Sequence, residues 1–218
     1  MLRGSGQKKR RKMIPKDVTD LFKDHKLTAK RLREGDRRVV EAVIDAYMGQ
    51  IFRAALGAGL DETGAEDVTQ ATFITFLEKS REFEGRSHVR TWLFGIMYNK
   101  IMEAHRETKR AQDFDPIDDV VEQRFDERGG WQRPPRPVDS DVHDEDLRQQ
   151  IDDCMEGVPM RSQLALVLRE VEGFSTEEIC DILRFSRSHL GVALYRSRNR
   201  IRECLEAKGL RSSADAKL

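Results

Sequence analysis

The chain has 218 residues, 38% hydrophobic and 36% charged, room for one large domain or two small ones with an extensive wet surface. No run approaches the roughly 20 apolar residues that a membrane span needs, so the chain is expected to be cytoplasmic, with no membrane contact of its own. The formal net charge is zero, which would argue against a nucleic-acid partner if the charges were evenly spread; they are not.

Residues 1–20 open with "MLRGSGQKKRRKM", which is basic but lacks the apolar core and small-residue cleavage site of a secretory signal. It reads as a disordered tail, with weak attraction to nucleic acid as the alternative. Residues 21–110 read as one helical bundle. From Asp36 to about Gly57, Val39, Val40, Val43, Ile44, Tyr47, Ile51, Phe52 and Leu56 recur at helical spacing. A break at "GAGL" is followed by a second helix from about Ala65 to Lys79. A third begins in "GRSHVRTWLFGIMYNKIMEAHRETKR", with Ser87 as its expected N-cap.

The pattern then stops. Residues 111–146 hold four prolines, a Gly-Gly pair and many aspartates and glutamates against four arginines. Such a stretch buries too little apolar surface to offset the entropy of ordering, so it is expected to be a flexible acidic linker. With the linker's charge set aside, the remainder is net basic.

Residues 147–208 resume helical periodicity, and 209–218 read as a second disordered tail. "LRQQIDDCMEGV" and "MRSQLALVLREVEG" each predict a helix. "FSTEEICDIL" predicts a short one opened by a Ser175–Glu178 capping box. After the joint "LRFS", Ser186 is the expected cap of a long last helix. Two helices joined by three or four residues, the second basic, form a helix-turn-helix pattern. The expected fold class is therefore all-α, two small helical domains joined by the acidic linker.

Cys154, Cys180 and Cys204 are odd in number and each separated by more than twenty residues, which fits neither a disulfide framework nor a metal pattern. They fall at apolar-periodic positions and read as core thiols, with a redox role left open. The five histidines are scattered singly. No phosphate-cradling loop, metal-ligand spacing or nucleophile–base pair is present, so no cofactor, metal or catalytic residue is expected and the chain reads as a non-enzyme.

In "LYRSRNRIRE" arginine alternates at positions 196, 198, 200 and 202. On a helix, Leu190, Leu194, Ser197, Ile201, Cys204 and Leu205 share one stripe, whereas a strand would scatter them over both faces. Arg196 and Arg200 then flank one margin of the stripe and Arg198 and Arg202 the other, with Ser188, Val192, Tyr195 and Asn199 opposite. A helix entering a major groove needs this layout, base-facing side chains between phosphate-reaching guanidiniums. The alternative is a solvated helix whose arginines cover its own core. In the first bundle Trp92, Asn99 and Arg106 stack at seven-residue spacing, which suits an unpaired base and its phosphate; the alternative is that Trp92 plugs the core.

"AEDVTQATFITFLEKSREFEGRSHVRTWLFGIMYNKIMEAHRETKR" resembles the core-binding and promoter-melting region of bacterial sigma factors of the sigma-70 family. "LREVEGFSTEEICDILRFSRSHLGVALYRSRNRIRECL" resembles their C-terminal helix-turn-helix, and the order of parts resembles the small extracytoplasmic-function, or group 4, type. The resemblance implies a transcription initiation factor that directs core RNA polymerase to promoters and helps melt the −10 region. It implies Asp67, Gln70 and Ile74 as the surface for the β′ clamp helices, with the β subunit as a further contact. Arg86, Ser87, His88, Trp92, Asn99 and Arg106 would meet the melted −10 strand. Arg187, Ser188, Val192, Tyr195, Arg196, Arg198 and Arg202 would lie on or near the −35 duplex. The linker would thread toward the RNA exit path. The family further implies an anti-sigma protein that covers the polymerase-binding surfaces. Two departures stand out: Ala71 replaces a common glutamate, and Gly191 replaces a common Lys or Arg in the reading helix at about 1 kcal/mol of helix propensity relative to Ala. The rival readings are a helix-turn-helix regulator that binds DNA without polymerase, and an interaction protein that sequesters a partner through the bundle.

Overall fold

The computed structural model describes residues 22–108 and 145–208, with side chains described for 22–105 and 149–208. The expected basic tail, the acidic linker up to Asp144 and the C-terminal tail lie outside the described residues. All regular structure among the described residues is helical.

The first bundle has four helices where sequence periodicity indicates three. The addition is α1, His25–Arg33, capped by Asp24, whose carboxylate accepts from the Lys26 and Leu27 N–H groups at 3.0 Å. Only Thr28, Ala29 and Leu32 of this helix are buried, so its apolar stripe is too narrow to stand out in so basic a sequence. It runs beside the loop after the third helix of the bundle, where Gly85 has φ +72° and an added Cβ would meet the His25 carbonyl at 2.5 Å. Helix α2, Arg37–Gly57, starts at Asp36 as its periodicity requires. Helix α3, Glu62–Lys79, begins three residues before the expected Ala65, because Asp61 caps it by accepting the Gly64 N–H at 2.8 Å. Helix α4 is Val89–Thr108. Ser87 does not cap it: the His88 imidazole Nδ1 accepts the Arg90 N–H at 3.0 Å, and the His88 carbonyl accepts from Trp92 at 3.1 Å.

The bundle core is built from Val39, Val43 and Ile51 of α2, Val68 and Phe76 of α3, and Leu93, Phe94, Met97 and Ile101 of α4. Buried Thr69 and Thr72 donate to the carbonyls four residues back, at 2.7 Å each, so their hydroxyls enter the core satisfied.

The second unit begins at Glu145, two residues before the expected Leu147, with α5, Glu145–Met155. Helix α6, Met160–Leu166, runs into a π turn over Val167–Val171, then α7, Thr176–Leu183, and α8, Arg187–Ala207. The predicted caps form. Ser175 and Glu178 make the reciprocal capping box, and Ser186 accepts the His189 N–H at 3.1 Å. Arg184 closes α7 in the left-handed region at φ 56°, which turns the chain sharply into α8.

The expectation of three unlinked core thiols is corrected. Cys154 of α5 and Cys204 of α8 form a disulfide, while Cys180 is free and half-buried. A separation of 50 residues hides this pairing from any spacing rule. The packing of α5 on α8 brings the two Cα atoms to 5.8 Å, inside the range a disulfide spans.

The two units share one continuous apolar core. Phe94 of α4 meets Phe174 at 4.8 Å between ring centroids. Gly57, at the end of α2, lies so close to the π turn after α6 that a Cβ there would sit 2.7 Å from Val167.

Candidate nucleic-acid and protein contact surfaces

Asp67, Gln70 and Ile74 are all exposed on one stripe of α3, and Ile74 keeps 50% of its surface in water. The stripe continues to Leu77, also 50% exposed, which the three-and-four spacing from Asp67 could have included. Two large aliphatic side chains left bare one turn apart, with acid and amide neighbours, form a surface suited to another protein.

The loop and first turn of α4 carry the second group of residues. Arg86 is exposed and paired with Glu84, whereas Ser87 and His88 are half-buried. His88 meets His25 edge-on at 5.3 Å and Tyr47 at 6.4 Å. Burial, then the nearby charges of His25 and Arg90, hold its pKa below the usual value against the pull of Glu178, so the ring is set as a neutral acceptor for the Arg90 N–H. Burial pushes the Tyr47 phenol up to about 12. Trp92 is half-buried, stacked on Phe83 at 4.9 Å and edge-on to Phe76 at 6.0 Å, so much of its ring packs within the bundle. Asn99 is exposed, and its Oδ1 accepts from Arg184 at 3.4 Å. The side chain of Arg106 lies outside the described residues.

Helix α8 holds the third group. Leu190, Ala193, Leu194 and Ser197 are buried, as the helical stripe requires, and the Ser197 hydroxyl donates to the Ala193 carbonyl at 2.8 Å. Arg187, Ser188, Arg200 and Arg202 are exposed; Val192, Tyr195, Arg196, Arg198 and Asn199 are half-buried. Several guanidiniums rest on this unit's own carboxylates: Arg187 on Glu177 at 3.0 Å, Arg202 on Glu206 at 3.8 Å, and Arg198 on Glu170. Such exposed pairs are weak, and phosphate oxygens can replace the carboxylates at little cost. The turn before α8 is braced from below. Arg161 donates to the Leu183 carbonyl at 2.8 Å and covers the Phe185 ring at 4.4 Å, and Phe185 stacks on His189 at 4.1 Å.

Sequence reasoning did not find the contact between the units. Arg90 donates to Glu172 twice, to its carbonyl at 2.8 Å and its carboxylate at 2.7 Å, and to Gln50 Oε1 at 2.9 Å, while lying 4.0 Å over the Phe174 ring. The Glu172 side chain is only 5% exposed, so Arg90 neutralises a nearly buried charge. One residue on, Thr91 donates to Glu178 Oε1 at 2.9 Å. Burial pushes the Glu178 carboxyl up, but hydrogen bonds from Ser175 and Thr91 and the charge of Arg90 together hold it below the usual range. The contacts of Arg90 with Glu172 and of Thr91 with Glu178 join residues more than eighty apart, so no local pattern announces them. They place the C-terminal unit against α4, beside the part of that helix that carries Asn99.

Comparison with known proteins gives two matches in the same order as the two units. Residues 43–111 match the model of Sigma-70 region 2 and residues 148–201 that of Sigma-70, region 4, together just over half of the chain. A protein of Haemophilus influenzae named "Probable RNA polymerase sigma factor" is 28% identical over 151 residues, covering 66% of this chain and 78% of the relative. The ECF RNA polymerase sigma-E factor of Escherichia coli strain K12 is 26% identical over 172 residues, 78% of this chain and 88% of the relative. Among solved structures, CnrH in complex with the cytosolic domain of CnrY aligns with a TM-score of 0.60 at 20% identity, covering 84% of this chain and 97% of the other. The sigma factor RpoE in complex with the anti-sigma factor NepR from Bartonella quintana aligns at 0.58 and 21%, covering 76% and 96%. These two likenesses concern the fold.

Proposed function

Because the chain belongs to the sigma-70 family of RNA polymerase sigma factors, in its extracytoplasmic-function group, we propose that it docks on core polymerase through α3 and reads promoters with one unit per element. The α3 stripe of Asp67, Gln70, Ile74 and Leu77 takes the β′ clamp helices, and the factor further meets the β subunit. Arg86, Ser87, His88, Trp92, Asn99 and Arg106 attend the melted −10 strand, where trapping a flipped base offsets a few kcal/mol of unstacking. Asn99 is the primary reader and Trp92 backs the site through its packing on Phe83. Helix α8 enters the major groove of the −35 duplex, with Val192 and Tyr195 toward base edges and Arg187, Ser188, Arg196, Arg198 and Arg202 toward phosphates or flanking bases. The factor works in the cytoplasm, the linker following the RNA exit path.

The observation that carries this reading is the helix-turn-helix itself: a box-capped α7, a left-handed turn at Arg184, and an α8 whose apolar side is buried from Leu190 to Ser197 while its arginines are exposed or half-buried away from that side. The contact between the units also supports a two-state factor. With Thr91 held by Glu178 and the exposed Asn99 by Arg184, the C-terminal unit is tethered to the −10 reading helix, and the units part when both elements are bound. An anti-sigma partner would act on the closed form, covering the α3 stripe.

Run-off transcription with purified bacterial core enzyme and a library of upstream sequences tests the reading. Promoter-dependent products are expected, and their absence sinks it in favour of a regulator that binds DNA without polymerase. Combined Arg196→Glu and Arg198→Glu is expected to abolish these products and reduce the salt dependence of promoter binding. If transcription survives that double charge reversal, α8 is not the −35 reader and the bundle alone carries function.

A further inference from the structure

The half of α8 that carries most of its arginines is poorly anchored by packing. Its buried residues end at Ser197, and beyond it Ile201, Cys204 and Leu205 are only half-buried. Arg198, Arg200 and Arg202 all lie in this half. What holds its far end is α5, through the Cys154–Cys204 bond and a Lys208–Asp153 ion pair at 2.8 Å. Helix α5 has eleven residues, too few to persist alone in water, and packs chiefly on α8. The covalent link therefore closes a ring around the whole helix-turn-helix, from the end of α5 to the end of α8.

We propose that Cys154 and Cys204 form a reversible thiol–disulfide site, oxidised by peroxides and reduced by dithiols, that staples the end of the DNA-reading helix and so strengthens duplex binding by the C-terminal unit. Access sets the order of events. Cys204 is half-buried at the surface of α8, whereas Cys154 is 3% exposed behind it. The Cys204 thiolate attacks the peroxide and breaks its O–O bond, leaving a sulfenic acid on Cys204 and one water after protonation. The Cys154 thiolate then attacks the Cys204 sulfur and displaces hydroxide, which leaves as a second water. Two thiols and one hydrogen peroxide thus become one disulfide and two waters. A dithiol reverses this by attacking the Cys204 sulfur, the more accessible of the two, passing through a mixed disulfide and leaving as its own disulfide. Cys180 takes no part: it sits on α7 without a bond partner, and burial pushes its thiol up, which keeps it from ionising.

The effect on duplex binding rests on the reading of α8 given above; the redox site itself does not. The test uses the full chain, treated with dithiothreitol or with hydrogen peroxide, then alkylated, weighed intact and peptide-mapped. Thermal unfolding and binding to promoter duplex are followed in parallel. Three alkylated cysteines are expected after reduction, and one, Cys180, after peroxide, with a 154–204 bridged peptide. The oxidised form is expected to melt about 5 °C or more above the reduced form and to bind duplex several-fold more tightly. Cys180→Ser is expected to keep both differences, and Cys154→Ser and Cys204→Ser to lose them. A bridge through Cys180 or between chains, or equal melting in the two redox states of the unaltered chain, overturns the proposal. A bridge and a melting shift without duplex binding in either state upholds the site and overturns the DNA reading instead.

Discussion

The two units reach stability by different routes. The N-terminal unit stacks helices of 21, 18 and 20 residues on one another and fills the space between them with Phe73, Phe76, Phe83, Phe94 and half of Trp92. The C-terminal unit has one long helix and three short ones, of 11, 7 and 8 residues, around Leu164, Leu168, Phe174, Ile179, Leu183 and Leu190. A small domain buries a smaller share of its surface, and this one is closed by a covalent cross-link and by leaning on its neighbour. Apolar area suffices where helices are long and aromatic residues abundant; where they are not, cross-links and borrowed contacts take over.

The sharpest break of this contrast is Phe76→Ala. Phe76 is fully buried, and its loss is expected to cost about 3–5 kcal/mol, read by denaturant unfolding. Hydrogen exchange should show the loss spreading from α2, α3 and α4; equal loss in α7 and α8 would mean that the units melt as one body. Next in size, removing the disulfide by Cys154→Ser is expected to cost about 2–4 kcal/mol, with the N-terminal bundle keeping its exchange protection. Smaller again is Glu172→Ala at the contact between the units, expected to cost about 1–3 kcal/mol because Arg90 loses a charged hydrogen-bond partner. A fluorescence-transfer pair with one dye on each unit should report a wider mean separation, and an unchanged distance would show that the apolar contact of Phe94 with Phe174 is enough.

The smallest expected effect is pH dependence. His88 binds its proton less readily in the folded chain than the ordinary value of 6.5, so the unfolded chain is protonated first. Its contribution is complete above about pH 6.5 and is lost as pH falls through the lower folded value. The Glu178 carboxyl, also held low, behaves alike at more acid pH, below its ordinary 4.5. Melting temperature is therefore expected to drop between pH 7 and pH 5, with the slope reduced in His88→Asn, which keeps a capping side chain at the start of α4. A slope unchanged by that substitution would assign the titration elsewhere.

Much of the fold was legible locally. The Ser175–Glu178 box and the Ser186 cap are each contained in a few consecutive residues and form, and the helical stripe of α8 is buried from Leu190 to Ser197 but only half-buried at Ile201, Cys204 and Leu205. Ser87 failed as a cap because His88 supplies a better placed acceptor, and α1 escaped notice because only three of its nine residues are buried. Among the site residues, Asp67, Gln70 and Ile74 were named through the family resemblance, and all three are exposed on one side of α3. The partial burial of Trp92 did not follow from period, since the same residue can serve a core or a base and the neighbouring rings decide.

Periodicity and capping act within a turn or two of helix, so the sequence by itself determined the helices, their order and the faces they bury. Contacts between residues fifty or more apart depend on how those helices are laid against one another. The pairing of Cys154 with Cys204, the seat of Arg90 on Glu172 and the link of Arg184 to Asn99 were therefore decided only by the tertiary structure.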